Sequence, residues 1–259
     1  MVHNSPTWMP EALIEALAMP GLIWVCLASF LSGLVYGFAG FGSALIFMPL
    51  AVIFLPPALA IAAFSLSALA SLATVIPKAW AVANRSQTLM MVGMSVLTMP
   101  LGIALLRLAP EVTIRTTVCI LTLLTLAALL AGWKVPLRGG AALRAGVGAL
   151  SGITGGSTGL NGPPVILFNL GSDQPVAVTR GNLACFLTFN SLLMMPMMWL
   201  QGLIDGPAIW LGLILLMPYA MGTWGGARLF RPQAAGLYKT AAYMLIGVAG
   251  VMGLPIWEG

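Results

Sequence analysis

Long apolar runs broken by one or two charged residues set the pattern of this chain. No Asp, Glu, Lys or Arg stands between Glu15 and Lys78, Arg85 and Arg107, Arg115 and Lys134, or Arg144 and Asp173. The same holds from Arg180 to Asp205, from Asp205 to Arg228 and from Lys239 to Glu258. A spanning helix needs about 20 apolar residues, a length these runs meet or approach. The pattern predicts an apolar block over 20–57, then single spans near 58–77, 88–106 and 114–133. A second block covers 143–172, followed by spans near 178–201, 207–228 and 238–257. Glycine interrupts both blocks, at Gly37-Phe-Ala-Gly-Phe-Gly42 and at Gly155-Gly-Ser-Thr-Gly-Leu-Asn-Gly162. The fold class expected is therefore an all-α polytopic membrane protein with broken or re-entrant glycine-rich helices.

Composition agrees. Of 259 residues, 60% are apolar and 7% charged, against roughly 25% charged in a soluble domain. The net charge of +5 does not imply nucleic acid, because the basic residues sit singly in short loops, where they orient spans. Cys26, Cys119 and Cys185 lie inside apolar runs and are expected as small buried hydrophobes. The one histidine, His3, lies in the polar N-terminus, so no histidine-based metal or acid–base site and no cofactor is expected. Pro10-Glu-Ala-Leu-Ile-Glu15 is expected as a short amphipathic helix at the membrane surface, and the start lacks the basic region of a cleavable signal.

Charge parity then bears on topology. If each broken block crosses once, the eleven basic residues divide almost evenly between the two sides. If each block instead crosses twice, or enters and returns, one side collects Lys78, Arg85, Lys134, Arg138, Arg144, Arg180, Arg228, Arg231 and Lys239. Only Arg107 and Arg115 remain on the other. That asymmetry fits the positive-inside rule and puts both termini outside. Two equal helices drawn from the run between Arg144 and Asp173 would each be about 20 Å long, too short for a core of about 30 Å. A pair of short or re-entrant helices meeting at the glycine-rich turn is expected, next to protein or a water-filled cavity.

The blocks are also related to each other. Ser32-Gly33 matches Ser151-Gly152, Gly37 matches Gly156 and Gly40 matches Gly159. Downstream, Pro77 and Trp80 match Pro196 and Trp199, Met99-Pro100 matches Met217-Pro218, and Trp133 matches Trp257. The division expected is an interfacial segment over 1–19, a first membrane repeat over 20–134, a basic cytoplasmic linker over 135–144 and a second repeat over 145–259. Five segments per half invert the second half relative to the first, the architecture of many secondary transporters.

Gly33-Leu-Val-Tyr-Gly-Phe-Ala-Gly-Phe-Gly-Ser43 with Pro49, and Gly152-Ile-Thr-Gly-Gly-Ser-Thr-Gly-Leu-Asn-Gly-Pro-Pro164, resemble the TauE/SafE sulfite-exporter family. The likeness covers nearly the whole chain, and its specificity lies in the pairing of the two motifs. It implies a bacterial inner-membrane permease for sulfite or an organosulfonate, often an exporter, with some relatives moving other anions or importing. Phe38 and Phe41 interrupt the glycines of the first motif and bear on whether a small-anion site is kept.

Candidate substrate-binding residues follow from the breaks. In the second, Gly156, Ser157, Thr158, Gly159 and Asn161 offer backbone and side-chain donors, and a half-helix from Pro163 would point its N-terminus at an anion. The alternative is tight packing through Gly148, Gly152 and Gly156. In the first break Gly37, Gly40, Gly42 and Ser43 are the counterparts, with Phe38 and Phe41 as packing or a gate. Arg180 either pairs with an oxyanion or snorkels to the interface. Asn182 and Asn190 lie deeper in the same span, where a polar role is expected and a helix-to-helix bridge is one such role. The methionines are expected as packing, and Trp24, Trp80, Trp133, Trp199 and Trp257 as interfacial anchors.

No Asp or Glu falls within a span, so coupling through a buried carboxylate is not expected. An inside-negative potential drives anions out, at about 2.3 kcal/mol per charge per 100 mV. The partners expected are a small anionic substrate and the lipid bilayer, with a homodimer left open and no nucleic acid. The function expected is secondary transport of a small sulfur-containing anion by alternating access. An anion channel, or an uptake permease for another small anion, is the alternative. Enzyme chemistry lacks its acid–base players.

Overall fold

A computed structural model describes residues 10–133, 140–171, 174–229 and 235–257. His3, Lys134, Arg138, Asp173, Arg231 and the Trp257 side chain lie outside the described residues, as does the first half of the linker expected over 135–144. Thirteen α-helices and no strand occur among the described residues. In chain order they are α1 (Glu11–Leu17), α2 (Leu22–Ala39), α3 (Ser43–Ala51), α4 (Pro57–Ser67), α5 (Ala70–Thr74), α6 (Ile76–Val82) and α7 (Arg85–Leu108). Then come α8 (Glu111–Leu130), α9 (Ala141–Thr158), α10 (Pro163–Leu170), α11 (Val176–Leu200), α12 (Gly206–Leu229) and α13 (Ala235–Met252). Six segments are long and apolar enough to cross a membrane: α2, α4 with α5, α7, α8, α11 and α12. This is a multi-pass, all-helical membrane protein.

Local chemistry sets the ends of these helices. Asn84 caps α7, its side chain accepting from the Gln87 amide at 3.1 Å, and Asp205 caps α12 by accepting from the Ala208 amide at 2.9 Å. Pro57 and Pro163 occupy first-turn positions, where a missing N–H costs nothing. Arg144, assigned to the linker by sequence, is already helical, because α9 begins at Ala141.

Each glycine-rich block is a long helix followed by a short one. The pairs are α2 with the nine-residue α3, and α9 with the eight-residue α10. The short members measure about 13 Å and 12 Å and cannot cross. The lengths are unequal because the glycines that sequence placed inside the break divide into two kinds. Gly40 and Gly159 are the actual stops: each has a left-handed φ, +78° and +73°, and each donates its N–H 2.8 Å to the carbonyl four residues back. Gly37, Gly155 and Gly156 are helical.

Helical glycines bring two helix pairs into backbone contact. On α2 facing α12, a methyl at Gly33 would sit 2.6 Å from the Tyr219 carbonyl oxygen, and one at Gly37 or Gly226 would overlap backbone. On α9 facing α7, a methyl at Gly156 would sit 2.5 Å from Met99 O, and one at Gly152 would overlap Ser95 O. Each crossing also carries a hydroxyl bond to backbone, Ser29 Oγ to Leu215 O at 3.2 Å and Thr98 Oγ1 to Ala149 O at 2.7 Å. The long helix of each glycine-rich block therefore packs on a span far away in the chain, α2 on α12 and α9 on α7. Close approach of this kind is what holds helices together where lipid offers no hydrophobic drive.

Candidate functional site

The two breaks meet. Gly42 and Ser43, at the start of α3, and Asn161, Gly162 and Pro163, at the start of α10, line one cavity of about 20 Å³, room for one water-sized guest. Tyr36, Ser71, Thr188, Ser191 and Tyr219 complete its polar wall. The wall is deeply placed: Tyr36 is 2% exposed, Ser71 1%, Asn161 4% and Tyr219 2%. Tyr36 and Tyr219 stack with ring centres 6.4 Å apart. Ser71 Oγ is buried on the cavity wall beside the Tyr219 hydroxyl, as Ser43 is, and by geometry its hydrogen-bonding capacity within the protein is not filled.

The donors on the two sides are unequal. The first helical bond of α3 runs from the Ile46 amide to Gly42 O at 3.2 Å, which leaves the amides of Ser43, Ala44 and Leu45 for a ligand. In α10 the first bond runs from Ile166 to Gly162 O at 2.8 Å, and Pro163 and Pro164 have no N–H to offer. Only Val165 supplies a free first-turn amide there, so the sharper anion end belongs to α3.

The remaining candidates take other positions. Gly37, Gly40 and Arg180 line a neighbouring vestibule of about 300 Å³ that opens at the exposed Lys78. The half-buried Arg180 donates from Nη2 to Gly37 O at 3.1 Å, and its side chain packs across Gly40. Arg180 also borders a second recess of about 410 Å³ containing Phe38, Phe41, Trp133, Tyr238 and Lys239. Gly156 packs on α7 and Gly159 ends α9. Ser157 and Thr158 donate to their own helix, to Ile153 O at 2.8 Å and Thr154 O at 2.7 Å. Asn182 accepts from the Asn84 amide at 2.7 Å and donates to Asn169 Oδ1 at 3.4 Å and Gln174 Oε1 at 3.3 Å, fastening α11 to the start of α7. Asn190 donates to Ser95 Oγ at 2.6 Å, again joining α11 to α7. Of the sequence-derived candidates, Gly42, Ser43 and Asn161 converge on the central cavity.

Tyr36, Ser71, Thr188 and Tyr219 escaped the sequence reading. A hydroxyl inside an apolar run is a weak signal, though Tyr36 does stand within the first glycine motif. Cys26, Cys119 and Cys185 are free thiols, the last two buried, as their apolar settings require. At the far ends of the helices, Arg107 Nη1 donates to Gln201 O at 3.1 Å and Arg115 Nε to Gly253 O at 3.0 Å. Gln201 closes the helix that begins near Arg180, and Gly253 closes the one that begins near Lys239. Arg107 and Arg115 thus stand at the opposite end from Arg180 and Lys239, as charge parity expected.

No protein of curated function and no solved structure matches the chain. A family model does, over residues 25–252, taking in both breaks, both glycine crossings and the cavity between them. The chain belongs to the sulfite exporter TauE/SafE family.

Proposed function

We propose that this protein is a secondary transporter that moves a small sulfur oxyanion, sulfite or a compact organosulfonate, outward across a bacterial inner membrane by alternating access. The observation that carries this reading is the convergence of two helix breaks, matched in sequence, on one buried, hydroxyl-lined cavity. In this reading the cavity, which as it stands admits one water-sized guest, widens during the transport cycle to seat the oxyanion at the start of α3. The anion accepts from the free amides there and from the hydroxyls of Ser43, Ser71 and Tyr219, with the Asn161 carboxamide opposite. Uncharged donors suit a transporter, because a fixed cation at the site would hold the anion too tightly to release it. Lys78 and Arg180 draw anions into the vestibule, the cytoplasmic entrance if the basic side faces inward. Both termini are then periplasmic. The two halves, 20–134 and 145–259, are inverted repeats that rock against each other around the cavity.

Currents from proteoliposomes on a solid support test this across sulfite, sulfate, sulfoacetate, taurine and chloride. A saturable current for one sulfur anion is expected, with roughly tenfold weaker apparent affinity in Ser43→Ala, the cost of one hydrogen bond to a charged group. Arg180→Ala should slow capture at low substrate more than it lowers the maximal current. Neither a saturable current nor isotope exchange for any sulfur anion would refute the assignment. A current rising linearly into the millimolar range would replace the transporter with a channel.

A further inference from the structure

The vestibule and the central cavity are separated by one helical turn on three helices at once. On α2, Tyr36 faces the cavity and Gly37 and Gly40 the vestibule; on α5 the pair is Ser71 and Thr74; on α11 it is Thr188 and Ala184. Hydroxyl bridges span this boundary. The Tyr36 hydroxyl donates to Ala184 O at 2.8 Å and lies 2.7 Å from Thr188 Oγ1, joining α2 to α11. With the Tyr36 proton on Ala184 O, Thr188 is the donor to Tyr36, giving a continuous chain from Thr188 through Tyr36 to Ala184. Thr74 Oγ1 donates to Thr223 Oγ1 at 3.1 Å, joining α5 to α12 at the same level.

We propose that this layer is the gate between vestibule and cavity, and that Tyr36 is its selective element. The inference rests on the central cavity being the substrate site. Both bridges consist of neutral hydroxyls and are exchangeable: an oxyanion entering from the vestibule accepts the Tyr36 proton in place of Ala184 O, then the Thr188 proton, and passes one turn deeper. Each donor released by the protein is taken up by the anion, so no buried hydroxyl goes unpaired during passage. A solute that cannot accept hydrogen bonds must leave Tyr36 or Thr188 unsatisfied. The Tyr36 ring, stacked on Tyr219, blocks the opening for solutes unable to make the exchange. The second half has no equivalent side chain. The position matching Tyr36 at the spacing of Gly37 to Gly156 is Gly155, which packs on Asn161.

Thiol accessibility in substrate-free protein tests the gate without relying on transport. Ser71→Cys in a background with Cys26, Cys119 and Cys185 replaced by Ala places the only thiol inside the cavity. The probe is a charged, membrane-impermeant maleimide added to purified protein. Tyr36→Phe and Thr188→Val are each expected to raise the labelling rate about tenfold, the opening gained from losing one hydrogen bond of the bridge. Tyr36→Ala should raise it further. A control thiol at Val82→Cys, in the vestibule, should label at one rate throughout. Labelling at 71 that stays within twofold in both Tyr36→Phe and Thr188→Val, in protein that melts like the parent, overturns the gate. Failure of the substrate assignment shows separately, as absence of sulfur-anion flux in the unsubstituted protein, and leaves the labelling result to decide the gate.

Discussion

At the residue scale the cavity depends on which hydroxyls are already engaged. Ser43 lines the cavity at the open end of α3, whereas Ser157 donates to Ile153 O within its own helix. Two serines that are alike in a glycine-rich sequence are therefore expected to behave differently. Ser43→Ala should weaken sulfur-anion binding, and Ser157→Ala should leave it unchanged, with calorimetric titration of the purified protein as the measurement. Equal losses in both would mean that the second glycine motif contacts substrate through its helical part, contrary to the geometry. The breaks themselves were legible from sequence, because few features besides glycine clusters interrupt an apolar run. Which glycine breaks a helix and which packs it was not legible. Gly37 and Gly40 are three residues apart in one motif, and only a neighbouring helix distinguishes them: Gly37 meets α12 backbone, and Gly40 turns into the left-handed region. Tyr36 was beyond reach for the same reason, since its partners Ala184 and Thr188 lie on another helix, in the other half of the chain.

At the element scale the two short helices are the same device with different chemistry. Both begin at the cavity wall, but α3 presents three free amides and α10 begins with two prolines. Proline at the first position preorganises the helix start and removes a donor at once. Pro163→Ala is thus expected to restore an amide facing the cavity and to hold or tighten anion binding, while costing about 0.4–1 kcal/mol of stability through a looser unfolded chain. Titration with sulfite beside a thermal melt separates the two effects. Weaker binding with an unchanged melt would show that the ring of Pro163, and not its missing N–H, shapes the site. The glycine crossings make the opposite kind of demand. A side chain at Gly152 has the Ser95 carbonyl in its way, and the hydroxyl of Thr98 beside it already bonds to α9. Gly152→Val should therefore push α9 off α7 and cost about 1–3 kcal/mol, the usual penalty of overpacking. A lowered melting temperature in detergent, together with loss of folded yield, is the expected readout. The spans were readable from charge spacing because the hydrocarbon core excludes charge wherever it lies. The crossings were half readable, since small residues at helical spacing predict close contact without naming the partner.

At the scale of the whole molecule the two ends differ. Where Lys78, Arg180 and Lys239 stand, two recesses reach inward beside α2 and α11. At the other end Arg107 holds the end of α11 and Arg115 the end of α13, each through a backbone carbonyl. Guanidinium on carbonyl is a bond between a charge and a fixed dipole, stronger than a neutral pair yet breakable without leaving a buried ion. Under the alternating-access reading proposed above, this end opens when the other closes, and the Arg115 contact with Gly253 breaks as it does. A reporter for that event is built in. Cys119 is fully buried one turn along from Arg115, and a methyl at Gly253 would lie 2.8 Å from its Sγ. In a background with Cys26 and Cys185 replaced, Cys119 should react slowly with an impermeant maleimide. It should react about tenfold faster in Arg115→Gln, where the latch has lost its charge-assisted bond. Arg107→Gln should add to this, because its contact lies on a different pair of helices and the two bonds close one end together. If Cys119 labels no faster in either variant, or in the double variant, the arginines are static fastenings and the end they close is not the one that opens. Faster labelling that substrate then reverses would tie this end to the transport cycle and fix the order in which the two mouths of the cavity open.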